Sequence, residues 1–274
     1  MQVPGSENLI RQIAFRMRQR PEARDDNAER RRLQLTSDPD VIYAIGDVHG
    51  CLDALVRLER LIVEDARDRA GTKLIVMLGD YVDRGPESCG VLDHLLAGPP
   101  AGFRRVCLSG NHDQAFLNVF SRPETLHHWL DIGGFQTLKS YGIGSRELQE
   151  HLRSGLKHGV HFIAAAVPAE HLTGLRQLPV SLVTPTYFFS HAGARPGYDL
   201  AAQSDDDLMW IRREFMTALP GTFDRIMVHG HTIVPRPCAD AVRISLDTGA
   251  YRGGGLSAAR LDRDGVSFLS VPSA

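Results

Sequence analysis

Five short polar motifs carry the residue types that could do chemistry. They are Gly46-Asp47-Val48-His49-Gly50, Gly79-Asp80-Tyr81-Val82-Asp83-Arg84-Gly85, Gly110-Asn111-His112-Asp113, His191-Ala192-Gly193 and His229-Gly230-His231-Thr232. Aspartate, histidine and asparagine supply carboxylate, imidazole and carbonyl donors. Such a set suits divalent metals such as Mn, Fe, Zn or Ni, and no thiolate stands in it. Asp47 and His49 are two residues apart, so extended backbone would point both the same way. Taken singly, each motif reads as a turn or as a satisfied buried histidine. Taken together and in this order, they read as a polar metal nest. The flanking glycines let the chain turn sharply and let a bulky anion approach the backbone.

The elements that must position these motifs are short apolar runs rich in Val and Ile. They lie at 41–46, 73–79, 104–109, 186–190, 225–228, 242–246, 256–261 and 266–271. Bounded by Gly and polar clusters, they read as buried strands. All five motifs directly follow such a run, and ligand sites in α/β sheets lie at the carboxyl ends of strands. Helical spacing alternates with the early strands. Residues 52–66 carry Leu55, Leu58, Leu61 and Ile62, and 86–97 begin at Pro86, a residue suited to a first turn. Residues 112–120 and 145–157 are further helix candidates. Strand–helix–strand order first, with mostly strands later, predicts an α/β sandwich.

The N-terminal part differs. Residues 9–19 place Ile10, Ile13, Ala14 and Met17 at helical spacing among arginines, and Pro21 ends that segment. Residues 22–38, with the run Arg30-Arg31-Arg32, read as a solvated linker. We therefore expect an Arg-rich arm over 1–38 and one domain over 39–274. The arm's apolar stripe reads as a face packed on the domain, with a partner or an acidic membrane surface as the alternative.

Composition sets the bounds. The chain has 274 residues, 43% hydrophobic and 23% charged, with a formal net charge of −2. These values are those of a globular protein and give no sign of a nucleic-acid partner. No run of about 18 apolar residues exists to span a membrane. The N-terminus has no apolar leader. Cys51, Cys89, Cys107 and Cys238 are scattered, without a Cys-x-x-Cys. The expected location is the reducing cytoplasm.

The motif order resembles the phosphoprotein phosphatase branch of the calcineurin-like metallophosphoesterases, and within it the bacterial and phage serine/threonine phosphatases. The resemblance covers about residues 40–262. It extends to Gly133-Gly134, Thr137-Leu138, Ser140-Tyr141-Gly142 and Trp210-Ile211-Arg212. It implies a four-layer α/β/β/α sandwich with two mixed sheets and two divalent ions at one edge, Mn first and Fe, Zn or Ni as alternatives. The ligands it implies are Asp47, His49 and Asp80 for one ion, with Asp80, Asn111, His191 and His231 for the other. The residues alone leave His229 and His231 both open, since they share a face. The family's Gly-His-Thr selects His231. Ions ~3.5–4 Å apart would acidify a water held between them, giving the hydroxide for in-line attack on phosphorus. Arg84 and Arg212 would bind phosphate beside Asn111, with Arg213 as the alternative anion contact, or both Arg212 and Arg213 as surface charge. His112 would be the general acid, oriented by Asp83. Tyr251 would line the pocket, unless it packs on a neighbour. Asp113 departs from the Glu of many relatives but keeps the acid.

The resemblance implies a phosphorylated protein or peptide as substrate. One alternative is symmetrical diadenosine tetraphosphate hydrolysis. Relatives of that kind tend to lack an aspartate at the position of Asp83 and to carry Trp at that of Thr232. The other alternative, an inactive binding scaffold, fits poorly with a complete ligand set.

Overall fold

The computed structural model describes residues 30–273. The helix expected over 9–19 and most of the arm lie outside these residues. Eleven strands occur among them: β1 (Arg32–Gln34), β2 (Val41–Ile45), β3 (Lys73–Met77), β4 (Phe103–Cys107), β5 (Ser181–Val183), β6 (Tyr187–Ser190), β7 (Ile226–His229), β8 (Cys238–Ala239), β9 (Arg243–Ser245), β10 (Leu256–Asp262) and β11 (Gly265–Val271). They form a five-stranded sheet, β11-β10-β2-β3-β4, and a six-stranded sheet, β1-β5-β6-β7-β9-β8. Both are mixed. β2, β3 and β4 are parallel, with Ala44 opposite Val76 and Val76 opposite Val106, while β10 runs antiparallel to β2. In the other sheet β6, β7 and β9 are parallel and β5 is antiparallel to β6. Parallel neighbours need a crossover, and helices Leu52–Asp65 and Ser88–Leu96 supply it.

Side-chain alternation creates the layers. In β2, Ile42 and Ala44 face the other sheet and join Leu74, Val76, Phe189, Val228 and Ile244 in the core between the sheets. Val41, Tyr43 and Ile45 face the opposite way and pack with Leu55, Leu58 and Ile62 of the first helix. On the far side, Phe188 and Met227 are covered by Leu208, Met209, Ile211 and Phe215. The order is thus helix, sheet, sheet, helix, as the sequence led us to expect. The inner strands β2, β3, β6, β7 and β9 are buried on both faces, which explains why they read as unbroken apolar runs. The run 266–271, read as a buried strand, is instead the edge strand β11, with Val266 and Phe268 exposed.

Several local expectations need correction. Leu61 is 36% exposed. Its 100° step per residue carries it off the stripe formed by Leu55, Leu58 and Ile62. Pro86 precedes the helix, which begins at Ser88 with Glu87 as N-cap. The stretch 145–157 is two helices, Ser145–Leu152 and Leu156–Ala166, parted at Gly155 with φ 110°. The stretch read as solvated linker contains β1. It pairs in parallel with β5 and sends Leu33 and Leu35 into the core between the sheets. Arg32 fixes its start through a 2.7 Å ion pair with Asp205. Among the described residues no helix is long and apolar enough to cross a membrane.

Candidate active site

The carboxyl ends of β2, β3, β4, β6 and β7 release the chain at one edge, where the five motifs meet. Asp80 sits at the centre. Its Oδ2 lies 3.4 Å from His49 Nε2 and its Oδ1 lies 3.4 Å from His191 Nε2. The two histidines are set by the backbone. His49 Nδ1 donates to Val82 O at 2.9 Å, and His191 Nδ1 donates to Leu78 O at 2.9 Å. Each ring therefore turns Nε2 towards Asp80, as a metal-binding imidazole held by its other nitrogen would. His191 Nε2 also faces Asn111 Oδ1 at 2.9 Å and His231 Nδ1 at 3.2 Å.

Two trios of ligand atoms converge within 4.8 Å of one another: His49, Asp80 and His112, and Asp80, His191 and His231. Asp47 enters from the end of β2, and both its oxygens accept the His231 backbone N–H at 3.1 Å. Gly230 is required here, because a Cβ would lie 2.0 Å from Asp47 Oδ1. The structure also separates the two histidines that alternation could not. His229 uses both nitrogens, on Gly230 O at 2.9 Å and Ser245 Oγ at 2.8 Å. His231 keeps Nε2 buried with no hydrogen-bond partner.

The electrostatics call for positive charge. Asp47, Asp80, Asp113 and Asp247 are all buried. Burial raises Asp47 well above the usual carboxylate range, helped by Asp247 and Asp80. Burial and the nearby Asp80 push Asp113 up to about 7. Burial opposes the charged form of His191, but Asp80 and Asp47 outweigh it and raise its pKa to about 9. Burial, with His112 and Arg84 nearby, brings His49 down to about 3, and burial with the charge on His191 brings His231 down to about 2. The neutral imidazoles of His49 and His231, the clustered carboxylates and one orphaned buried nitrogen are a donor set that fits divalent cations, and the charge on His191 occupies the place such a cation would take.

A second constellation borders the first. His112 Nδ1 donates to Asp83 Oδ2 at 2.7 Å. Burial raises the Asp83 pKa, against the bonds from His112 and Thr137 that favour the carboxylate. Arg84 points its guanidinium between two rings, with one nitrogen 3.1 Å from His49 Nε2 and another 2.8 Å from His112 Nε2. The same guanidinium lies 4.8 Å over the Tyr251 ring, which itself stands edge-on to His49 at 5.2 Å. Tyr251 is thus at the site. Arg212 reaches it from the helical side of the other sheet, donating to His231 O at 3.2 Å, whereas Arg213, equally exposed, opens the helix Arg213–Met216 that buries Phe215. Asp113 takes the backbone N–H groups of Asp80, Tyr81 and Gly110, at 2.9, 3.0 and 2.9 Å, and so ties two motifs together.

Sequence reasoning passed over three residues. Asp247 lies buried beside Asp47, and Trp129 and Thr137 hold Asp83. Thr137 stood in a quoted motif and Asp247 opens the segment Asp247-Thr248-Gly249-Ala250-Tyr251, both without an assigned role, and nothing in the spacing of Trp129 linked it to the others.

Similar proteins bear on this arrangement. The asymmetrical bis(5'-nucleosyl)-tetraphosphatase PrpE of Halalkalibacterium halodurans is 27% identical over 84% of this chain and 92% of its own length. Serine/threonine-protein phosphatase 2 of Salmonella typhimurium is 28% identical over 79% of this chain and 90% of its own. A protein serine/threonine phosphatase structure from Saccharomyces cerevisiae shares the fold, with a TM-score of 0.55 at 16% identity over 97% of this chain and 89% of that one. The profile of the calcineurin-like phosphoesterases matches residues 41–266, the span that carries all five motifs. The chain belongs to that family and is a metallophosphoesterase hydrolase.

Proposed function

We propose that this enzyme is a metal-dependent phosphomonoester hydrolase whose substrate is a phosphorylated protein or peptide, at serine or threonine, with phosphotyrosine as an extension of the same chemistry. The observation that carries this reading is the 2.7 Å contact of His112 with Asp83. In this assignment Asp47, His49 and Asp80 hold one divalent ion, and Asp80, Asn111, His191 and His231 hold the other, with Mn as the first choice. Such ions, when bound, supply Lewis-acid charge to the phosphoryl oxygens and acidify water for in-line attack.

Everything else falls to side chains. Arg84 offers a planar fork that matches two phosphate oxygens, and Tyr251 supports its face. Arg212 and Asn111 complete the phosphate grip. His112 supplies the proton. Its Nδ1–H is committed to Asp83, so Nε2 is the working nitrogen, and it now accepts from Arg84. A phosphate that takes up the Arg84 N–H groups frees Nε2 to take up a proton from solvent and deliver it to the leaving oxygen. The alkoxide of a seryl or threonyl phosphate is a strong base and needs that proton. A nucleotide phosphate is a far better leaving group and does not.

The tetraphosphatase among the relatives favours a second reading, hydrolysis of a dinucleoside tetraphosphate. One comparison tests the choice. Mn²⁺-loaded enzyme is assayed on phosphoserine and phosphothreonine peptides beside diadenosine tetraphosphate. We expect the higher kcat/KM on the peptides. A preference for the dinucleotide would replace the substrate class and leave the metal assignment standing.

A further inference from the structure

Asp83 and Arg84 occupy consecutive left-handed positions, with φ of 72° and 69°. Residues with a Cβ do not rest there unaided, because that carbon crowds the following carbonyl oxygen. Several of the contacts that hold them come from a segment bearing none of the proposed metal ligands: the turns Leu126–Trp129, Leu130–Gly134 and Phe135–Ser140. Trp129 Nε1 donates to both oxygens of the Asp83 carboxylate, at 3.0 and 3.1 Å. Thr137 Oγ1 accepts the Asp83 backbone N–H at 2.8 Å and donates to Asp83 Oδ1 at 2.8 Å. Gly133 O accepts the Arg84 backbone N–H at 3.1 Å. A Cβ on Gly133 would lie 2.7 Å from Arg84 Cγ, so the segment approaches as closely as it can.

The Trp129 indole is itself fixed. It is buried and stacked on Phe116, with centroids 4.9 Å apart and planes at 21°. Phe116 lies on helix Asn111–Ser121, which also carries His112. One aromatic stack therefore links both halves of the dyad, with its polar end on the carboxylate and its flat face on the histidine's helix. A buried indole N–H needs only one acceptor. Here it straddles the two oxygens whose direction sets the His112 ring.

We propose that Trp129 and Thr137 are positioning residues for the Asp83–His112 dyad, and that the segment Leu126–Ser140 is the clamp that aims the proton donor. The proposal rests on the reading of His112 as the general acid. Neither residue touches the reacting atoms. Without the Trp129 or Thr137 donor, the Asp83 carboxylate is free to turn, and His112 loses its fixed direction. The loss then falls on the step that needs the proton.

The test uses full-length, Mn²⁺-loaded protein with Trp129→Phe, Thr137→Val, Thr137→Ser, Asp83→Asn and His112→Ala. The substrates are a phosphoserine peptide and aryl phosphates of decreasing phenol pKa. Trp129→Phe and Thr137→Val should each lower kcat on the peptide by about 10–100-fold, the usual worth of a group that orients a working side chain. Both should lose much less on the most acidic phenol. Thr137→Ser, which keeps the hydroxyl, should stay near wild type. In the Asp83→Asn background, Trp129→Phe should add less than about twofold, because it acts through a group already lost. Equal losses on every leaving group, or full multiplication in the double variant, would overturn the proposal. The Thr137 pair keeps the test readable if Trp129→Phe loosens the core. A His112→Ala enzyme with no leaving-group dependence would sink the general-acid reading and the clamp together. Dependence in His112→Ala, without it in the Trp129 and Thr137→Val variants, would sink the clamp alone.

Discussion

Five non-glycine residues have positive φ among those described, and all five stand in the site: His49, Asp80, Asp83, Arg84 and His231. Each such conformation costs on the order of 1–3 kcal/mol and persists only where the surroundings over-determine it. Here backbone carbonyls, the Asp113 carboxylate and the Leu126–Ser140 segment do so. The types of the site residues were legible in the sequence because few side chains can ligate a metal, and the motifs concentrate them. Their roles were less legible. Sequence spacing left His229 beside His231; the family motif chose His231, and in the structure both nitrogens of His229 are already taken by hydrogen bonds. Asp247 was passed over because its proximity to Asp47 is made by the fold, across 200 residues. Arg84 gives a prediction at this scale. Arg84→Lys keeps the charge but loses the fork that spans His49 and His112. A lost hydrogen bond to a charged group is worth about 1.5–3 kcal/mol, so kcat/KM on a phosphopeptide should fall about 10–100-fold. The fall should sit mainly in KM, with Mn²⁺ uptake unchanged. Wild-type kinetics in the lysine variant would remove Arg84 from the phosphate site.

At the scale of elements, the inner strands with apolar runs were readable because both their faces are buried, and the motif positions followed from their carboxyl ends. The errors have physical causes. β1 has three residues, too few to show a period, and its neighbours are arginines that advertise solvent. β5 is equally short. The segment 126–140 contains a π-type turn with Gly133 at φ 121°, which breaks the 3.6-residue stripe by which a helix is recognised. The status of β1 is open to a direct check. Leu33 is buried between the sheets. Leu33→Ala should lower unfolding stability by about 2–4 kcal/mol, read as a lower urea midpoint at unchanged slope. A side chain in a solvated linker would change it by less than about 0.5 kcal/mol, and that result would return residues 30–35 to the arm.

Across the whole molecule, two sheets press together and present the ends of five strands along one seam. Neither sheet holds the site alone. Asp47, His49, Asp80 and the Asn111–His112 pair come from one sheet, and His191 and His231 from the other. The His191–Leu78 and His231–Asp47 hydrogen bonds stitch the seam where the ligand atoms converge. Folding thus gathers four buried carboxylates that repel one another, and bound cations would relieve that repulsion. Asp80 is the hinge of this account, because its two oxygens face different histidines. The most direct measurement is the Mn²⁺ content per chain of wild type and Asp80→Asn, after dialysis against metal and gel filtration, with phosphopeptide turnover followed on the same samples. The account predicts two ions per chain in the wild type. It predicts at most one in Asp80→Asn, with turnover lost and the circular dichroism spectrum unchanged. An Asp80→Asn protein that still holds two ions and turns over at the wild-type rate would contradict it.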